Sequence, residues 1–270
     1  MNHTAELEKK PPLLQVTNLH VSYGTNVALT GATLAVSAGR ICGLAGMNGS
    51  GKSTLFKSIM NSVPRLAGTV EVAGMDANVA RKRGLIGYVA QSEEIDWDFP
   101  VSVNQVVMMG RYGFMGPLRR PRAADREAVN KALELVELAD LRHRQIGALS
   151  GGQKKRVFIA RAIAQGAPLM LLDEPFAGVD KYSEAAIVEL LRRLAAQGTG
   201  LVVSTHDLAS MGKLCDEAVL LYRRVVYHGD VDGALRPENL AKAFGLSDSE
   251  DTAENASDPG ETPVTQGGQK

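Results

Sequence analysis

The sequence predicts an α/β fold with a core of parallel strands and helices, an antiparallel layer beside it and an inserted helical subdomain. The short apolar runs 41–45, 169–172 and 200–204 are typical of strands that are buried on both faces. Segments with helical spacing separate these runs, and strands that alternate with helices indicate a parallel sheet. The pattern changes between residue 92 and about residue 165, which places the helical subdomain there.

The first part of the chain predicts a flexible leader followed by the antiparallel layer. Residues 1–12 are polar and end in two prolines, which favours a loose leader. Alternating apolar residues predict a strand over 13–23, and residues 27–36 are interpreted as a pair of strands separated at Gly31. Residues 69–72 then predict an edge strand. Together these strands make the predicted antiparallel layer.

The rest of the chain alternates between strands and helices and ends in a polar tail. Apolar residues predict a strand over 85–90, and stripes at helical spacing predict helices over 102–110 and 123–141. Further helices are predicted over 154–164, 183–196, 208–214 and 237–244, with a hairpin over 218–228. One domain therefore spans 13–245. The acidic residues 246–270 lack the apolar side chains for a core and are expected to be disordered.

Composition and charge exclude several classes of protein. Thirty Lys and Arg residues balance thirty Asp and Glu residues, so the chain has no general attraction for nucleic acid. The apolar runs are too short to span a bilayer, and the polar N-terminus lacks a secretory core, so the protein is expected to stay in the cytosol. Cys42 and Cys215 are interpreted as small buried apolar residues, and no Cys/His spacing suggests a zinc site.

A glycine-rich stretch follows the first buried strand. It comprises Gly46, Met47, Asn48, Gly49, Ser50, Gly51, Lys52, Ser53 and Thr54, and fits the phosphate-loop pattern G-x-x-x-x-G-K-[ST]. Its glycines allow successive backbone N–H groups to point at phosphate oxygens. Lys52 is then expected to neutralise the β- and γ-phosphates and Ser53 to ligate Mg²⁺. A glycine-rich turn that matches by chance is disfavoured, because a strand precedes the stretch and a helix follows it.

Two carboxylates follow the apolar run 169–172. An aspartate such as Asp173, at the C-terminal end of a strand beside a phosphate loop, is placed to hold Mg²⁺. Glu174, one residue further, would lie near the γ-phosphate and polarise the attacking water. An acidic turn at the end of a strand is common by itself, but its place beside a phosphate loop favours the metal and water roles.

A second stretch suited to an anion is the sequence Leu-Ser-Gly-Gly-Gln at 149–153. Ser150, Gly151, Gly152 and Gln153 lead into a helix, and a helix N-terminus attracts negative charge. Because the chain already has one loop for its own nucleotide, this cradle is interpreted as gripping the γ-phosphate that a second copy holds. By itself the pattern also fits an N-cap followed by flexible glycines.

In their order these stretches resemble the nucleotide-binding subunit of an ATP-binding cassette (ABC) transporter, over residues 14–229. In that family 46–54 would be the Walker A loop, 169–173 the Walker B strand and 149–153 the signature sequence. The resemblance implies a P-loop NTPase fold of the ABC type and a head-to-tail dimer. Two ATP molecules, with Mg²⁺, would be sandwiched between phosphate loop and signature, and the dimer would bind integral-membrane permease subunits.

The same resemblance gives roles to four more residues. Gln91 would be the Q-loop glutamine that contacts Mg²⁺ and the water, and His206 the switch histidine that touches the γ-phosphate. Asp180 matches the acidic residue of the D-loop, and Tyr23 lies where an aromatic ring stacks on adenine. Taken alone, His206 would more often be a surface or core histidine, and Tyr23 a sheet-packing residue. The order of the motifs along the chain favours the assigned roles.

The stretch after Gln91 is the part that faces the permease in this family. The sequences Asp-Trp-Asp-Phe-Pro at 96–100, Met-Met-Gly-Arg-Tyr-Gly at 108–113 and Phe-Ala-Gly-Val-Asp at 176–180 resemble the manganese, zinc and iron importer branch, with the manganese/iron type closest. A Trp/Phe pair with acidic neighbours suits a groove for a short partner helix. The alternative is an ordinary loop with one buried aromatic residue.

The resemblance therefore implies an ATPase at the cytoplasmic face of the membrane that energises uptake of a divalent metal. An extracytoplasmic metal-binding protein would serve the same importer, and the cargo metal is not expected to touch this subunit. One alternative is an importer ATPase for a siderophore, haem or another cargo. A second is a soluble ABC ATPase that acts on DNA or ribosomes, which the single cassette and the lack of heptads disfavour.

Overall fold

Two sheets and a set of helices make up the part of the chain that the computed structural model describes, residues 11–91 and 100–244. The strands are β1 (Leu14–Tyr23), β2 (Asn26–Val36), β3 (Ile41–Ala45), β4 (Ala67–Val72), β5 (Met75–Asp76), β6 (Ile86–Val89), β7 (Leu169–Asp173), β8 (Gly200–Ser204), β9 (Glu217–Tyr222) and β10 (Arg224–Gly229). The helices are α1 (Lys52–Ile59), α2 (Ala77–Lys82), α3 (Val103–Met109), α4 (Ala123–Leu135), α5 (Gly151–Gln165), α6 (Lys181–Ala196), α7 (Leu208–Leu214), α8 (Val231–Ala234) and α9 (Pro237–Ala243). Short 3₁₀ turns cover Tyr112–Phe114, Ala139–Leu141 and Ile146–Ala148.

The smaller sheet is antiparallel, in the order β2-β1-β4-β5, and forms the antiparallel layer that the sequence predicts. Leu14 of β1 pairs with Val36 on one side and with Val72 on the other. Buried side chains largely alternate with exposed ones along β1, because one face of the strand packs into the core and the other faces solvent.

The break predicted at Gly31 is absent, and β2 runs through this residue without interruption. Leu19 pairs with Ala32, and Val21 pairs with Leu29, so one residue of β1 is opposed by two residues of β2. Gly31 has a φ of 64° and lies in this bulge. The glycine therefore marks an irregularity within a strand and not a turn between two strands.

The larger sheet has the order β10-β9-β3-β8-β7-β6, and its neighbours are parallel except in the β9–β10 hairpin. Every residue of β3, β7 and β8 is buried, as the apolar runs predict. Because these strands are parallel, their carboxyl ends meet at one edge of the sheet, where ligands of α/β proteins bind. The phosphate loop follows β3, Asp173 is the last residue of β7, and Glu174 follows it.

Helices α3, α4 and α5 pack on one another as the helical subdomain. Helix α4 ends at Leu135, short of the end that the sequence predicts, because Glu137 has a left-handed backbone with a φ of 57°. Val136 and Leu138 remain buried after the helix ends. Their burial explains why the apolar pattern continues beyond the helix.

Two short helices, α2 and α8, are absent from the sequence-based prediction. Asp76 caps α2 and Asp230 caps α8, each through its side-chain oxygen. The helices are only 6 and 4 residues long, which is too short for an apolar stripe to become apparent.

Some predictions concern residues outside the described part of the chain. These are most of the leader, the stretch 92–99 that holds the Trp/Phe pair, and the tail 246–270. Pro11 and Pro12, at the end of the predicted leader, are described and take no regular secondary structure. Among the described residues, no helix is both long enough and apolar enough to cross a membrane.

Candidate functional site

The glycine-rich loop joins the end of β3 to the start of α1, as its pattern predicts. Gly46 lies so close to β9 that a Cβ atom would be 2.2 Å from the carbonyl oxygen of Leu221. Gly51 caps α1 with a φ of 105°, a backbone conformation that favours glycine. The first N–H groups of α1 have no acceptor within the helix, so this end of α1 can receive an anion.

Lys52 and Ser50 are buried inside the loop. Lys52 is 8% exposed, and its Nζ donates to the carbonyl oxygens of Gly46 at 2.7 Å and Met47 at 3.0 Å. Burial lowers the pKa of Lys52, because the protonated form is poorly solvated there. The Oγ atom of Ser50 is buried and has no hydrogen-bond partner among the described residues. A buried ammonium group and an unpaired hydroxyl are groups that phosphate oxygens would satisfy.

Asp173 ends β7 and is held by side chains of two neighbouring strands. The Ser204 hydroxyl of β8 donates to Asp173 Oδ1 at 2.5 Å and accepts from the backbone N–H of Glu174 at 2.9 Å. The Tyr88 hydroxyl of β6 donates to Asp173 Oδ2 at 3.4 Å. Asp173 is 6% exposed and Ser204 is fully buried. The site therefore holds a fixed carboxylate of the kind that binds a hard divalent cation.

The three residues predicted to be catalytic meet at one carboxylate oxygen. Gln91 Nε2 donates to Glu174 Oε2 at 2.9 Å, and His206 Nδ1 lies 3.4 Å from the same oxygen. Glu174 has a φ of 46°, which is unusual for a residue other than glycine and turns the chain sharply after β7. Glu174 and Asp173 are also close enough to Lys52 to oppose the lowering of its pKa. The carboxylates and the ammonium group thus belong to one site.

The signature-like stretch lies in another part of the chain. Ser150 caps α5, since its Oγ accepts from the N–H of Gln153 at 3.3 Å and Gln153 Oε1 accepts from the N–H of Ser150 at 3.0 Å. Gly152 lies against α6, where a Cβ atom would be 2.3 Å from Ser183 Oγ. Asp180 caps α6 by accepting from the N–H and the hydroxyl of Ser183. Among the described contacts, this stretch therefore reaches the D-loop region and not the phosphate loop of its own chain.

Two more predicted residues, Tyr23 and Ser53, are exposed, and helix α5 also contacts Gln91. Tyr23 ends β1 and is 47% exposed, so its ring presents a free face. Ser53 is exposed in the first turn of α1. Lys155 of α5 donates to the carbonyl oxygen of Gln91 at 2.7 Å. The signature helix therefore contacts the residue that hydrogen-bonds Glu174.

Sequence reasoning missed two residues of this site, Ser204 and Tyr88. Ser204 is the last residue of a buried apolar strand, and a hydroxyl in such a run was the available signal. Tyr88 lies within another core strand, and its contact with Asp173 depends on strand order.

A phosphate loop, an acidic strand end and a glutamate shared by glutamine and histidine define a P-loop NTPase. These groups lie at the carboxyl edge of a parallel sheet, as nucleotide sites do in this fold class. The antiparallel layer, the helical subdomain and the Ser-Gly-Gly-Gln helix cap narrow the class to the ABC type.

Comparisons with known proteins agree with this class. Residues 29–177 match the family model described as ABC transporter. The chain is 49% identical over 235 residues to the chelated iron transport system membrane protein YfeB of Yersinia pestis, covering 87% of this chain and 79% of that protein. It is 48% identical over 233 residues to the manganese transport system ATP-binding protein MntA of Synechocystis sp., covering 86% of this chain and 90% of that protein. The chain belongs to the ABC transporter family, as an ATP-binding and ATP-hydrolysing subunit.

A solved structure gives the same answer for the fold. The chain is 30% identical to a putative metal-chelate type ABC transporter in an inward-facing conformation, with a TM-score of 0.77, covering 87% of this chain and 89% of that chain. The family and fold predicted from the sequence are therefore confirmed. ABC ATPase subunits of this kind work in complexes with membrane permeases, and dimerisation is general in the family.

Proposed function

We propose that Glu174 is the general base that activates water for ATP hydrolysis at this site. The observation that carries the proposal is the meeting of Gln91 and His206 at Oε2 of Glu174, a carboxylate that is only 13% exposed. Gln91 holds the carboxylate toward the site, and His206 lies on its solvent side with 69% of its side chain exposed. A positioned carboxylate of this kind takes the proton of the attacking water as the bond to phosphorus forms.

ATP would be held by the loop and by the end of β1. Tyr23 would stack on the adenine ring, and Lys52 would move from the loop carbonyls to the phosphates. The hydroxyl of Ser50 would gain the hydrogen bond that it lacks. The phosphate-binding set comprises Gly46, Met47, Asn48, Gly49, Ser50, Gly51, Lys52, Ser53 and Thr54.

Ser53, Gln91 and Asp173 are the residues that would hold Mg²⁺. A carboxylate, a hydroxyl and an amide oxygen are hard oxygen ligands, so the residues present fit this ion. Bound Mg²⁺ supplies neutralisation of the phosphate charge. Ser204 keeps the Asp173 carboxylate in one orientation by donating to it at 2.5 Å.

A second copy of the chain would complete each site in a head-to-tail dimer. Ser150, Gly151, Gly152, Gln153 and Asp180 would act across the interface, on the nucleotide that the other copy holds. Support comes from the cap geometry, because the N-terminus of α5 and its hydroxyl lie beside the D-loop region. A helix N-terminus with small residues can approach a γ-phosphate closely.

The cargo is a divalent metal ion, manganese or iron in the first place and zinc as a further possibility. The relatives named for chelated iron, manganese and zinc transport are 49%, 48% and 40% identical to the chain. The subunit would act at the cytoplasmic face of the membrane, bound to integral-membrane permease subunits. An extracytoplasmic metal-binding protein would deliver the metal, and no nucleic acid takes part.

A groove near the nucleotide site suits the permease. It has a volume of about 630 Å³ and lies between the end of α2, β6 and α3. Met109 and Phe114 line it together with Arg81 and Arg83, so a short helix with apolar and acidic side chains would fit. Tyr88 also lines the groove and donates to Asp173 in the nucleotide site. A helix in this groove would therefore be separated from Asp173 in the nucleotide site by the Tyr88 side chain alone.

The substitution Glu174→Gln tests the assigned base. The variant should bind ATP but lose about a hundredfold or more of the turnover rate, and should accumulate as an ATP-bound dimer. Glu189→Gln in α6 is the control and should keep the wild-type rate. ATPase assays and sedimentation with and without ATP provide the measurements. A Glu174→Gln rate close to that of wild type would refute the role.

The cargo is tested in cells. A strain without this gene should grow poorly when metal is limited and should be rescued by added manganese or iron. The strain carrying Glu174→Gln should behave like the deletion. Rescue only by a siderophore or haem would instead assign an importer for that cargo. Growth unaffected by metal, with the protein bound to ribosomes or DNA, would support a role outside transport.

A further inference from the structure

Three side chains with metal-binding atoms meet outside the nucleotide site. They are Cys42 of β3, Glu217 of β9 and His228 of β10, and their sulfur, oxygen and nitrogen atoms all lie within 4.8 Å of one another. Cys42 pairs with Glu217 across two parallel strands. His228 pairs with Val219, two residues after Glu217. Because side chains alternate between faces, all three lie on the same face of the sheet.

One side of this cluster is buried and the other side is open to solvent, so an ion could enter and be held. Cys42 is fully buried, whereas the side chains of Glu217 and His228 are 27% and 26% exposed, which leaves an entry path. Glu217 Oε2 lies 3.7 Å from His228 Nε2. Glu217 Oε1 is buried and has no hydrogen-bond partner among the described residues. A buried carboxylate oxygen without a donor costs free energy that a bound cation would recover.

We propose that Cys42, Glu217 and His228 bind a divalent transition-metal ion of the zinc, cobalt and iron(II) class. Sulfur and imidazole ligands favour these ions over Mg²⁺ and Mn²⁺. Ligand atoms around one tetrahedral ion lie roughly 3.3–3.6 Å apart, so a contraction of about 1 Å brings the three atoms to bonding distance. Water completes the coordination on the exposed side.

A plain ion pair between Glu217 and His228 explains less of the geometry. It accounts for the contact at Oε2, but it leaves Oε1 unsatisfied and gives no role to the sulfur atom beside it. Cys215, the other free cysteine, does not belong to the cluster and provides an internal control. Cys42 lies far from Glu217 and His228 in sequence, so the sequence pattern gives no hint that the three residues meet.

The same three strands support the phosphate loop. Strand β3 leads from Cys42 to Gly46, and the β9–β10 turn is tied to the loop because Arg223 N–H donates to the carbonyl oxygen of Ser50 at 2.8 Å. An ion that joins β3, β9 and β10 therefore acts on the elements that position the loop. Bound metal then changes the affinity for nucleotide, and nucleotide changes the affinity for metal. This coupling between metal and nucleotide rests on the proposed nucleotide site. In a metal importer, it would make nucleotide affinity depend on the cytosolic metal concentration.

Cobalt(II) is the probe for the site, because a cobalt–thiolate bond gives a charge-transfer absorption band. The full chain, without a polyhistidine tag, is titrated with Co²⁺ in excess Mg²⁺ and without nucleotide. The wild-type protein should develop the band, and added Zn²⁺ should displace the Co²⁺ and remove the band. Cys42→Ser should lose the band, and His228→Gln, a change near the surface, should weaken binding by about tenfold or more.

Cys215→Ser is the matched control and should keep both the band and the affinity. Wild type without a band would overturn the proposal. A band that survives in Cys42→Ser but disappears in Cys215→Ser would also overturn it, as would unchanged Co²⁺ affinity in His228→Gln.

The coupling to nucleotide is measured separately. The ATP affinity of the metal-free protein tests the nucleotide site by itself. Failure of the proposed nucleotide site can therefore be distinguished from failure of the proposed metal site. Co²⁺ should shift the ATP affinity of wild type by about fivefold or more and leave that of His228→Gln unchanged. Equal shifts in both proteins would show that Co²⁺ acts on ATP itself and would overturn the coupling.

Discussion

Ser204 shows how much of the site depends on one buried hydroxyl. The Ser204 hydroxyl donates its one hydrogen bond to Asp173 and accepts a hydrogen bond from the backbone N–H of Glu174. Glu174 has a left-handed backbone, which costs about 1 kcal/mol or more and persists only when neighbours hold it. We therefore infer that Ser204 is a positioning residue for both the proposed Mg²⁺ ligand Asp173 and the proposed general base Glu174.

Ser204→Ala should lower the ATPase kcat by about tenfold to a hundredfold, because Asp173 loses a donor and Glu174 loses an acceptor. The half-saturating Mg²⁺ concentration should rise, which a merely structural change would not cause. Ser210→Ala is the control, since Ser210 is also buried and also makes local hydrogen bonds in the neighbouring helix α7. An unchanged Mg²⁺ dependence in Ser204→Ala would contradict the positioning role.

Single residues differ in how far the sequence could predict them. Lys52 and Gly51 are recognisable because the loop that they form is contiguous and its spacing follows from phosphate geometry. Ser204 and the Cys42 cluster are not recognisable, because their partners come from strands that meet only in the folded sheet. Strand order is a tertiary property that one sequence does not state.

At the scale of elements, predictions held where burial dominates and failed where local backbone geometry does. The wholly buried strands β7 and β8 were predictable because burial on both faces requires runs that are mostly apolar. The break at Gly31 and the end of α4 were wrong, because a bulge and a left-handed Glu137 decide them. Propensity and periodicity describe neither of these features.

Arg111 holds the helical subdomain together at one point. Its Nε donates to Asp125 Oδ1 at 3.0 Å, and the two side chains are only 17% and 5% exposed. The same guanidinium donates to the carbonyl oxygen of Ala164 at 3.1 Å and lies 4.2 Å from the ring of Phe114. It thus connects the end of α3 with the start of α4 and the end of α5. Removing one partner would leave a buried charge without its counterion.

Asp125→Asn should lower stability at neutral pH, and the loss should shrink in acid. The backbone N–H of Arg122, and after it the guanidinium of Arg111, hold the pKa of Asp125 below its ordinary value, against the effect of burial. The stabilisation is therefore fully present above the ordinary aspartate pKa of about 3.9 and is lost as pH falls through the lowered value.

Urea unfolding of wild type and Asp125→Asn, at pH 7 and at a series of acid pH values, measures this difference. The gap in the free energy of unfolding should narrow as the pH falls. Asp140→Asn, at an exposed position, is the control and should track wild type throughout. A gap that stays constant or widens in acid would show that the charge of Asp125 is not what stabilises the subdomain.

At the scale of the whole molecule, the proposed head-to-tail dimer requires each chain to contribute two half-sites. The phosphate loop with Asp173 and Glu174 forms one of them, and the cap at Ser150 beside Asp180 forms the other. In the proposed head-to-tail dimer, the loop of each copy faces the cap of the other. The effect of substitutions in the two half-sites on ATP-dependent dimer formation therefore depends on whether one chain or two different chains carry them.

Mixing two inactive variants, both in the Glu174→Gln background, tests this arrangement. Lys52→Ala alone should not dimerise with ATP, because its loop lacks the phosphate-binding cation. Ser150→Glu alone should not dimerise either, because a carboxylate would face the γ-phosphate. In a mixed dimer both lesions fall in one composite site and the other site is intact, so the mixture should form an ATP-dependent dimer. Sedimentation of the mixture, with one variant labelled, measures the amount of ATP-dependent dimer.

The matched control places Lys52→Ala and Ser150→Glu on one labelled chain and mixes it with unlabelled Glu174→Gln. In a head-to-tail dimer of these two chains, each composite site carries one lesion, so the labelled chain should stay monomeric. The two mixtures contain the same substitutions and differ only in which chain carries them. Equal amounts of labelled dimer in both would contradict the head-to-tail arrangement, because only opposed half-sites make the distribution matter.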